Sequence, residues 1–436
     1  MLQLAIPKNP LIRNVFFLWF ILSVLALAFS GLYSFLPYTL RTPFLAKLLN
    51  MDNLFNLSLM VHVNLGVLVW FLSCNAMFMT IVNKERFSSA SLIAFLSSMT
   101  GTIFIIASPF IGESEPIKNN YIPILHNLAF ILGISLFLSG ILLQSLLTIF
   151  SFDQIKRNPI NLTIYISSLI FIVASICLAL SAVQLKTLAE TRFMDMLEYY
   201  ELLFWGAGHV LQFNYVQLII IVWILVADKF NIPEKLFPSF QWLNFILIAS
   251  CILPYWIYPL DSVESYDFFT SHMRYTGGIL LAIIGAWILF KCPPRKPLEI
   301  SIFGTSIFMI LSGGIIGYLI TGANVTIPAH YHGVIIGITI GLMGLFYLLL
   351  PKMGFQRVKS KSAIWQLLLY TIGQFIHILA LAISGGYGAL RKTPGIELTM
   401  KAKIFMGIMG IGGTIALIGG IAFVVLIFKN MVKNDE

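Results

Sequence analysis

The chain has 436 residues, of which 58% are hydrophobic and 10% charged, with a net charge of +9 and a mean hydropathy of +0.91. An ordinary soluble domain carries about 25% charged residues, so soluble enzymes, disordered regulators and nucleic-acid binders are excluded. Nor does the positive balance mark a DNA partner, because the 27 Lys and Arg sit in short segments between apolar runs. What remains is a polytopic membrane protein.

A hydrocarbon core about 30 Å thick takes about 20 apolar residues per helix. Twelve segments meet that length in chain order, at 15–36, 57–82, 91–110, 122–150, 161–183, 199–227, 240–258, 271–291, 300–320, 326–350, 363–384 and 403–428. The connections are short. The pattern predicts one membrane domain over residues 1–436, an all-α bundle of about 12 transmembrane helices. Lys8 and Arg13 precede the first segment, and Ala26-Leu27-Ala28 imitates a signal-peptide cleavage site. The apolar run nevertheless continues to Leu36, so the segment is read as a retained span. Counting Lys and Arg on alternate sides gives 17 on the side that holds both termini and 10 on the other. That excess puts both termini in the cytoplasm.

The four cysteines, Cys74, Cys177, Cys251 and Cys292, lie far apart with no C-x-x-C pair. The spacing excludes covalent heme attachment and a thiolate cluster built by this chain alone. The first three fall in apolar runs, where packing as small hydrophobes is expected.

There are seven histidines, His62, His126, His209, His272, His330, His332 and His377. On the predicted topology all fall in the outer half of the membrane. Polar side chains at that depth are costly and mark functional sites. So many imidazoles in one layer point to metal or heme ligation, since neutral imidazole is the commonest metal ligand. Interhelical hydrogen bonding is the alternative for each one alone; His126 and His377 are expected to be structural, with a water or other polar contact at the helix end as the alternative for His126.

The sharpest local pattern is Ala329-His330-Tyr331-His332-Gly333. Residues i and i+2 of a helix point about 200° apart, so one helix offers imidazoles to two sites on opposite flanks. His62 stands at matching depth as a second axial ligand for one of them. Gly206 and Gly208 in Trp205-Gly-x-Gly-His209 thin the sixth span, for close approach of another helix or of a flat macrocycle.

His62, the Trp205-Gly-x-Gly-His209 stretch, Ser271-His272-Met273-Arg274-Tyr275, His330-x-His332 and Ser384-Gly385-Gly386-Tyr387-Gly388-x-x-Arg391-Lys392 follow in order. Together they resemble subunit I of the heme–copper oxidase superfamily, across essentially the whole chain. The resemblance implies two hemes: a low-spin one with His62 and His332 as its axial pair, and a high-spin one with His330 as proximal ligand. It also implies a second metal, copper or non-heme iron, on His209 and His272, and Arg391 and Lys392 at the heme propionates. An electron-donating partner subunit or cytochrome c, a small gas substrate (O2 or NO) and a multi-pass place in a bacterial-type cytoplasmic membrane follow from the same likeness.

Three departures accompany it. Ser271 stands where the family usually has the first of a His-His pair, so Gln212 becomes a candidate third ligand. Phe213 stands where the best-known oxygen-reducing branch has a tyrosine, with Tyr255 and Tyr258 as possible substitutes. The asparagine-rich, aspartate-led proton-channel motif is not visible. The main expectation is a respiratory oxidoreductase that reduces O2. A nitric oxide reductase, a degenerate electron-carrying heme protein and a transporter relaying protons through histidines are the alternatives. Gly313-Gly314 is the one hint of a broken helix for the last.

Overall fold

A computed structural model describes residue 4 and residues 6–41, 52–152, 158–233, 235–391 and 398–432. Among these are 12 helices long and apolar enough to cross a membrane. They are α1 (Pro10–Phe35), α2 (Phe55–Val82), α3 (Glu85–Phe110), α4 (Leu128–Ile149), α5 (Pro159–Thr191) and α6 (Met196–Val226). The series continues with α7 (Leu236–Ile257), α8 (Val263–Lys291), α9 (Pro297–Tyr318), α10 (Thr326–Met353), α11 (Ser360–Gly386) and α12 (Met400–Val432). The protein is thus an all-α polytopic chain, apart from one small hairpin.

That hairpin corrects the expected start of α4. Residues expected to open the fourth span instead form β2 (Ile124–His126), which pairs antiparallel with β1 (Glu115–Ile117), Glu115 lying opposite His126. The intervening Asn119, Asn120 and Pro123 are turn residues, and the Asn119 amide nitrogen closes the turn on Ile122 O at 2.8 Å. The helix starts only where Asn127 caps it, accepting from the Phe130 amide at 2.7 Å. His126 is therefore an exposed strand residue outside the spans.

Two further irregularities lie near histidines. Residues Asn64–Val69 of α2, directly after His62, form a π-helical segment, a feature that favours functional positions. Helix α8 is interrupted between Thr276 and Ile279, at Gly277 and Gly278. By contrast, Gly313-Gly314 lies inside the uninterrupted helix Pro297–Tyr318. The expected hint of a break at that pair does not hold.

The chain divides into two compact units. Met1–Ala26, Val63–Leu225 and Lys229–Cys292 form the first; Leu27–His62, Val226–Asp228 and Pro293–Glu436 form the second. In the first unit a buried polar cluster ties α2, α5 and α6 together. Asn75 donates to Asn214 Oδ1 at 2.9 Å, Ser167 donates to Asn75 Oδ1 at 3.0 Å, and Asn214 donates to Ser167 O at 2.8 Å. Such bonds between membrane helices each contribute about 0.6–2 kcal/mol.

In the second unit α9 and α10 meet backbone to backbone at Gly313 and Gly333. A Cβ on Gly313 would lie 2.5 Å from Val334 N and 2.7 Å from Gly333 C. Backbone atoms cannot step aside as a flexible side chain would. Gly313→Leu should therefore lower stability by about 1–3 kcal/mol or more, read as a fall in the thermal midpoint in detergent. An unchanged midpoint would show that the two helices do not depend on this contact.

Candidate functional site

A buried imidazole must satisfy its ring N–H, because an unpaired donor in an apolar bundle costs about 1–3 kcal/mol. A carbonyl oxygen only accepts, so the ring nitrogen facing one carries the hydrogen. His62 Nδ1 stands 2.9 Å from Ser30 O, His209 Nδ1 2.8 Å from Trp205 O and His330 Nδ1 2.8 Å from Gly313 O. His332 Nδ1 stands 2.8 Å from Pro328 O and His377 Nδ1 3.2 Å from Met409 O. In all of these the neutral ring is the Nδ1–H tautomer, and Nε2 holds the lone pair. Metal-ligating histidines are typically fixed in this way.

In the second unit, Ser30 clamps His62 twice. Its carbonyl accepts from the ring, and its hydroxyl donates to His62 O at 3.0 Å. His330 and His332 are anchored to different elements, as their spacing predicts: the first to α9, the second to the preceding turn of its own helix. The His330 ring lies on Gly317, where a Cβ would come within 2.6 Å of Nδ1. His377, expected to be structural, lies beside His332 with ring centroids 5.6 Å apart. Arg391 follows Leu390, which bridges to Asn324 just before α10, so this cation stands near the end of α10 that carries both histidines. Lys392 lies outside the described residues.

The first unit holds His209 and His272. His209 is 5% exposed. Its Nε2 meets the Tyr121 hydroxyl at 2.9 Å, a partner that nothing in the sequence pattern suggested. The two glycines thought to admit a helix or a macrocycle each lie against a tyrosine. A Cβ on Gly208 would strike the Tyr121 ring, and one on Gly206 the Tyr255 hydroxyl. Tyr255 is engaged with Ser181 Oγ at 3.0 Å. Phe213, at the family's tyrosine position, packs edge-on against His272 with centroids 5.5 Å apart.

His272 departs from the common pattern. Its Nε2 faces Leu247 O at 2.9 Å, so it is the Nε2–H tautomer, and its Nδ1 lies 3.6 Å from Cys251 Sγ. Cys251, expected only to fill space, is thus a neighbour of a site histidine. Ser271 is exposed and Gln212 half-buried. Among the described residues no three His, Cys, Asp or Glu side chains are gathered as a metal would need. With Nδ1 anchored, Nε2 is the ring nitrogen of His62, His209, His330 and His332 that could ligate iron or another metal, the one on His209 being bonded to Tyr121. The second-metal set, with His272 turned and Ser271 exposed, is short of donors.

Arg192, where α5 gives way to α6, bonds Glu198 Oε1 at 2.6 Å and Asp261 Oδ2 at 3.1 Å. The Glu198 bond above all, with Asp261, holds the Arg192 guanidinium above its ordinary pKa. With Arg192 and Glu198 both more than a third exposed, the cluster adds little stability.

Over residues 14–415 the chain matches the family described as Cytochrome C and Quinol oxidase polypeptide I. It is 32% identical over 485 residues to an uncharacterized protein of Rickettsia prowazekii (strain Madrid E), covering 95% of each chain. It is also 28% identical over 352 residues to an uncharacterized protein of Aquifex aeolicus (strain VF5), covering 79% of this chain and 86% of that one.

Ring-nitrogen chemical shifts of the 15N-histidine-labelled, metal-free chain read the tautomers directly. The expected result is Nδ1–H for His62, His209, His330, His332 and His377, and Nε2–H for His272. An Nε2–H signal from His330 or His332 would contradict the carbonyl anchoring.

Proposed function

The chain belongs to the cytochrome c and quinol oxidase polypeptide I family, and we propose that it acts as a respiratory terminal reductase of O2 in a bacterial-type cytoplasmic membrane. Membership makes it an integral membrane protein of an oxidoreductase family whose members generally bind hemes and a second metal. The observation that supports the finer reading is the Nδ1-to-carbonyl anchoring shared by four of the five candidate ligands, His62, His209, His330 and His332.

In this reading His62 and His332 hold a low-spin heme, His330 is proximal ligand of a high-spin heme, and His209 with His272 serves a second metal. Arg391 and Lys392 pair with heme propionates. Bound there, these groups supply electron transfer to a gas molecule and its reduction. The protein's part is to hold the imidazoles. Ser30, Gly313 and Pro328 fix the ring tautomers and the direction in which Nε2 points. Gly317 leaves the room in which the His330 ring lies flat against α9. An electron-donating partner subunit or a cytochrome c completes the chain of transfer.

Nitric oxide is the second reading, favoured by Phe213. That residue is fully apolar and buried where the oxygen-reducing branch carries a phenol. Oxygen and nitric oxide consumption by the purified complex separates the two.

Reduced-minus-oxidised spectra, with and without carbon monoxide, test the reading: two hemes are expected, one of which binds the gas. A single inert heme, or none, would sink it. His62→Ala and His332→Ala should each abolish the low-spin spectrum while leaving the gas-binding heme, and persistence of the low-spin bands in either variant removes the axial-pair assignment. Gly317→Ala should deplete the gas-binding heme selectively, because the added methyl occupies the place of the His330 ring; an undisturbed carbon monoxide spectrum would remove His330 from the proximal role.

A further inference from the structure

A cation at the edge of a membrane needs a counter-charge, and the second unit meets that need in two ways. On the side that the charge count assigns to the cytoplasm, the two cations before α9 are neutralised by the chain itself. Arg295 Nε lies 2.7 Å from Asp228 Oδ2, and Lys296 Nζ lies 3.0 Å from Glu299 Oε1. The cations around the α10–α11 connection are not. Lys352, Arg357, Lys359, Lys361 and Lys429 are exposed, and among the described residues no carboxylate pairs with any of them. Either set would satisfy the positive-inside preference, so topology alone does not explain why one is left unpaired.

The unpaired set stands on a fixed platform. Gly354, in the left-handed region at φ 89°, turns the chain after α10, and the Phe355 amide closes on Leu350 O at 3.0 Å. The Gln356 amide then bonds Asn430 O of α12 at 3.2 Å. That bond brings Arg357 and Lys429, the neighbours of the bonded pair, to one place. Val358 is buried, leaving Arg357 and Lys359 exposed on either side of it.

A membrane-facing stripe continues from these charges. Lys361, Trp365, Leu369, Ile372 and Leu379 are all exposed and follow one another at helical spacing on one face of α11. A cation at the aqueous end, a tryptophan one turn inward and aliphatic residues beyond match the polarity of a phospholipid from headgroup to chain.

We infer that the α10–α11 connection and the end of α12 form a binding site for an anionic phospholipid. Its phosphate takes the counter-charge position at Arg357, Lys359, Lys361 and Lys429, and its acyl chains lie along Trp365, Leu369 and Ile372. A guanidinium presents paired donors to phosphate oxygens and an ammonium a point charge. Anionic lipids give the cytoplasmic leaflet its negative surface potential. An acidic soluble protein would meet the charges but not the stripe that runs from them into the membrane.

Trp365 reports the site. The purified full chain is placed in phosphatidylcholine nanodiscs doped with phosphatidylglycerol whose chains are brominated to quench tryptophan. The Trp365 share of the emission is isolated by comparison with Trp365→Phe. With each cation contributing about a fivefold preference, half of that emission should be lost at a mole fraction on the order of tenfold or more below that needed with brominated phosphatidylcholine. Arg357→Gln/Lys359→Gln/Lys361→Gln should bring the two lipids to parity. Arg295→Gln/Lys296→Gln, which touches only the paired set, should leave the preference within about twofold. All five substitutions fall on exposed residues, so an unchanged thermal midpoint is expected. Equal quenching of the wild type by the two lipids would overturn the site. So would a preference that survives the triple substitution, or one that falls as far in the Arg295/Lys296 variant, which would mean general surface charge. Loss of the preference to millimolar inorganic phosphate at constant ionic strength would mean that the cations hold a free anion and no lipid.

Discussion

An imidazole inside hydrocarbon has one hydrogen to place, and in this chain that requirement governs the site. The cheapest partner is a backbone carbonyl, because a helix presents them at every turn and they add no polar group of their own. Spending Nδ1–H in this way leaves Nε2 as the only lone pair on the ring. The tautomer and the direction of the ligating nitrogen thus follow from satisfying one buried donor.

Where the carbonyl comes from decides what else the histidine depends on. His209 and His332 use the residue four back in their own helix, Trp205 and Pro328, so their rings stay fixed as long as the helix does. His62 reaches Ser30 of α1, His330 reaches Gly313 of α9 and His377 reaches Met409 of α12. For these, ring orientation is a result of helix pairing. Gly313 shows the coupling most clearly. Its missing side chain lets α9 and α10 touch at Gly333, and that closeness brings its carbonyl within reach of His330. One turn on, Gly317 leaves space for the ring. A packing motif and a ligand seat are here the same stretch of helix.

Much of this was readable in the residue order, for identifiable reasons. Span length is fixed by membrane thickness, so the 12 apolar runs could be counted from hydropathy alone. The i, i+2 spacing of His330 and His332 follows from helix geometry, and their anchoring to different elements agrees with it. The failures are equally physical. Residues 122–127 are apolar enough to read as helix, but Pro123 and the Asn119-Asn120 turn favour strand pairing, and Asn127 sets the helix start. The π segment after His62 has no compositional mark. Gly277-Gly278 interrupts a helix while Gly313-Gly314 does not; Gly313 is packed against a neighbouring helix backbone, and neither Gly277 nor Gly278 is. Tyr121 could not be found from pattern at all: its partner is 88 residues away, and the only local sign was a turn-forming asparagine pair.

The two partners of the hydrogen bond between Tyr121 and His209 are held by different physics. His209 is buried and fixed by its own helix, through the Trp205 carbonyl. Tyr121 sits on a loop, and its left-handed backbone, at φ 64°, would relax unless something opposed it. The opposing term is the pair of hydrogen bonds from Asn120 to the Glu201 carboxylate. Bonds to a charged group contribute about 1.5–3 kcal/mol each, against about 1–3 kcal/mol of backbone strain, so the two together offset the strain. Glu201 lies two turns before His209 on the same helix, so the anchor of the loop and the imidazole it serves move together. A loop phenol tied in this manner keeps its register with His209, whereas His272 on α8 meets α6 through a side-chain contact, that of its ring with Phe213.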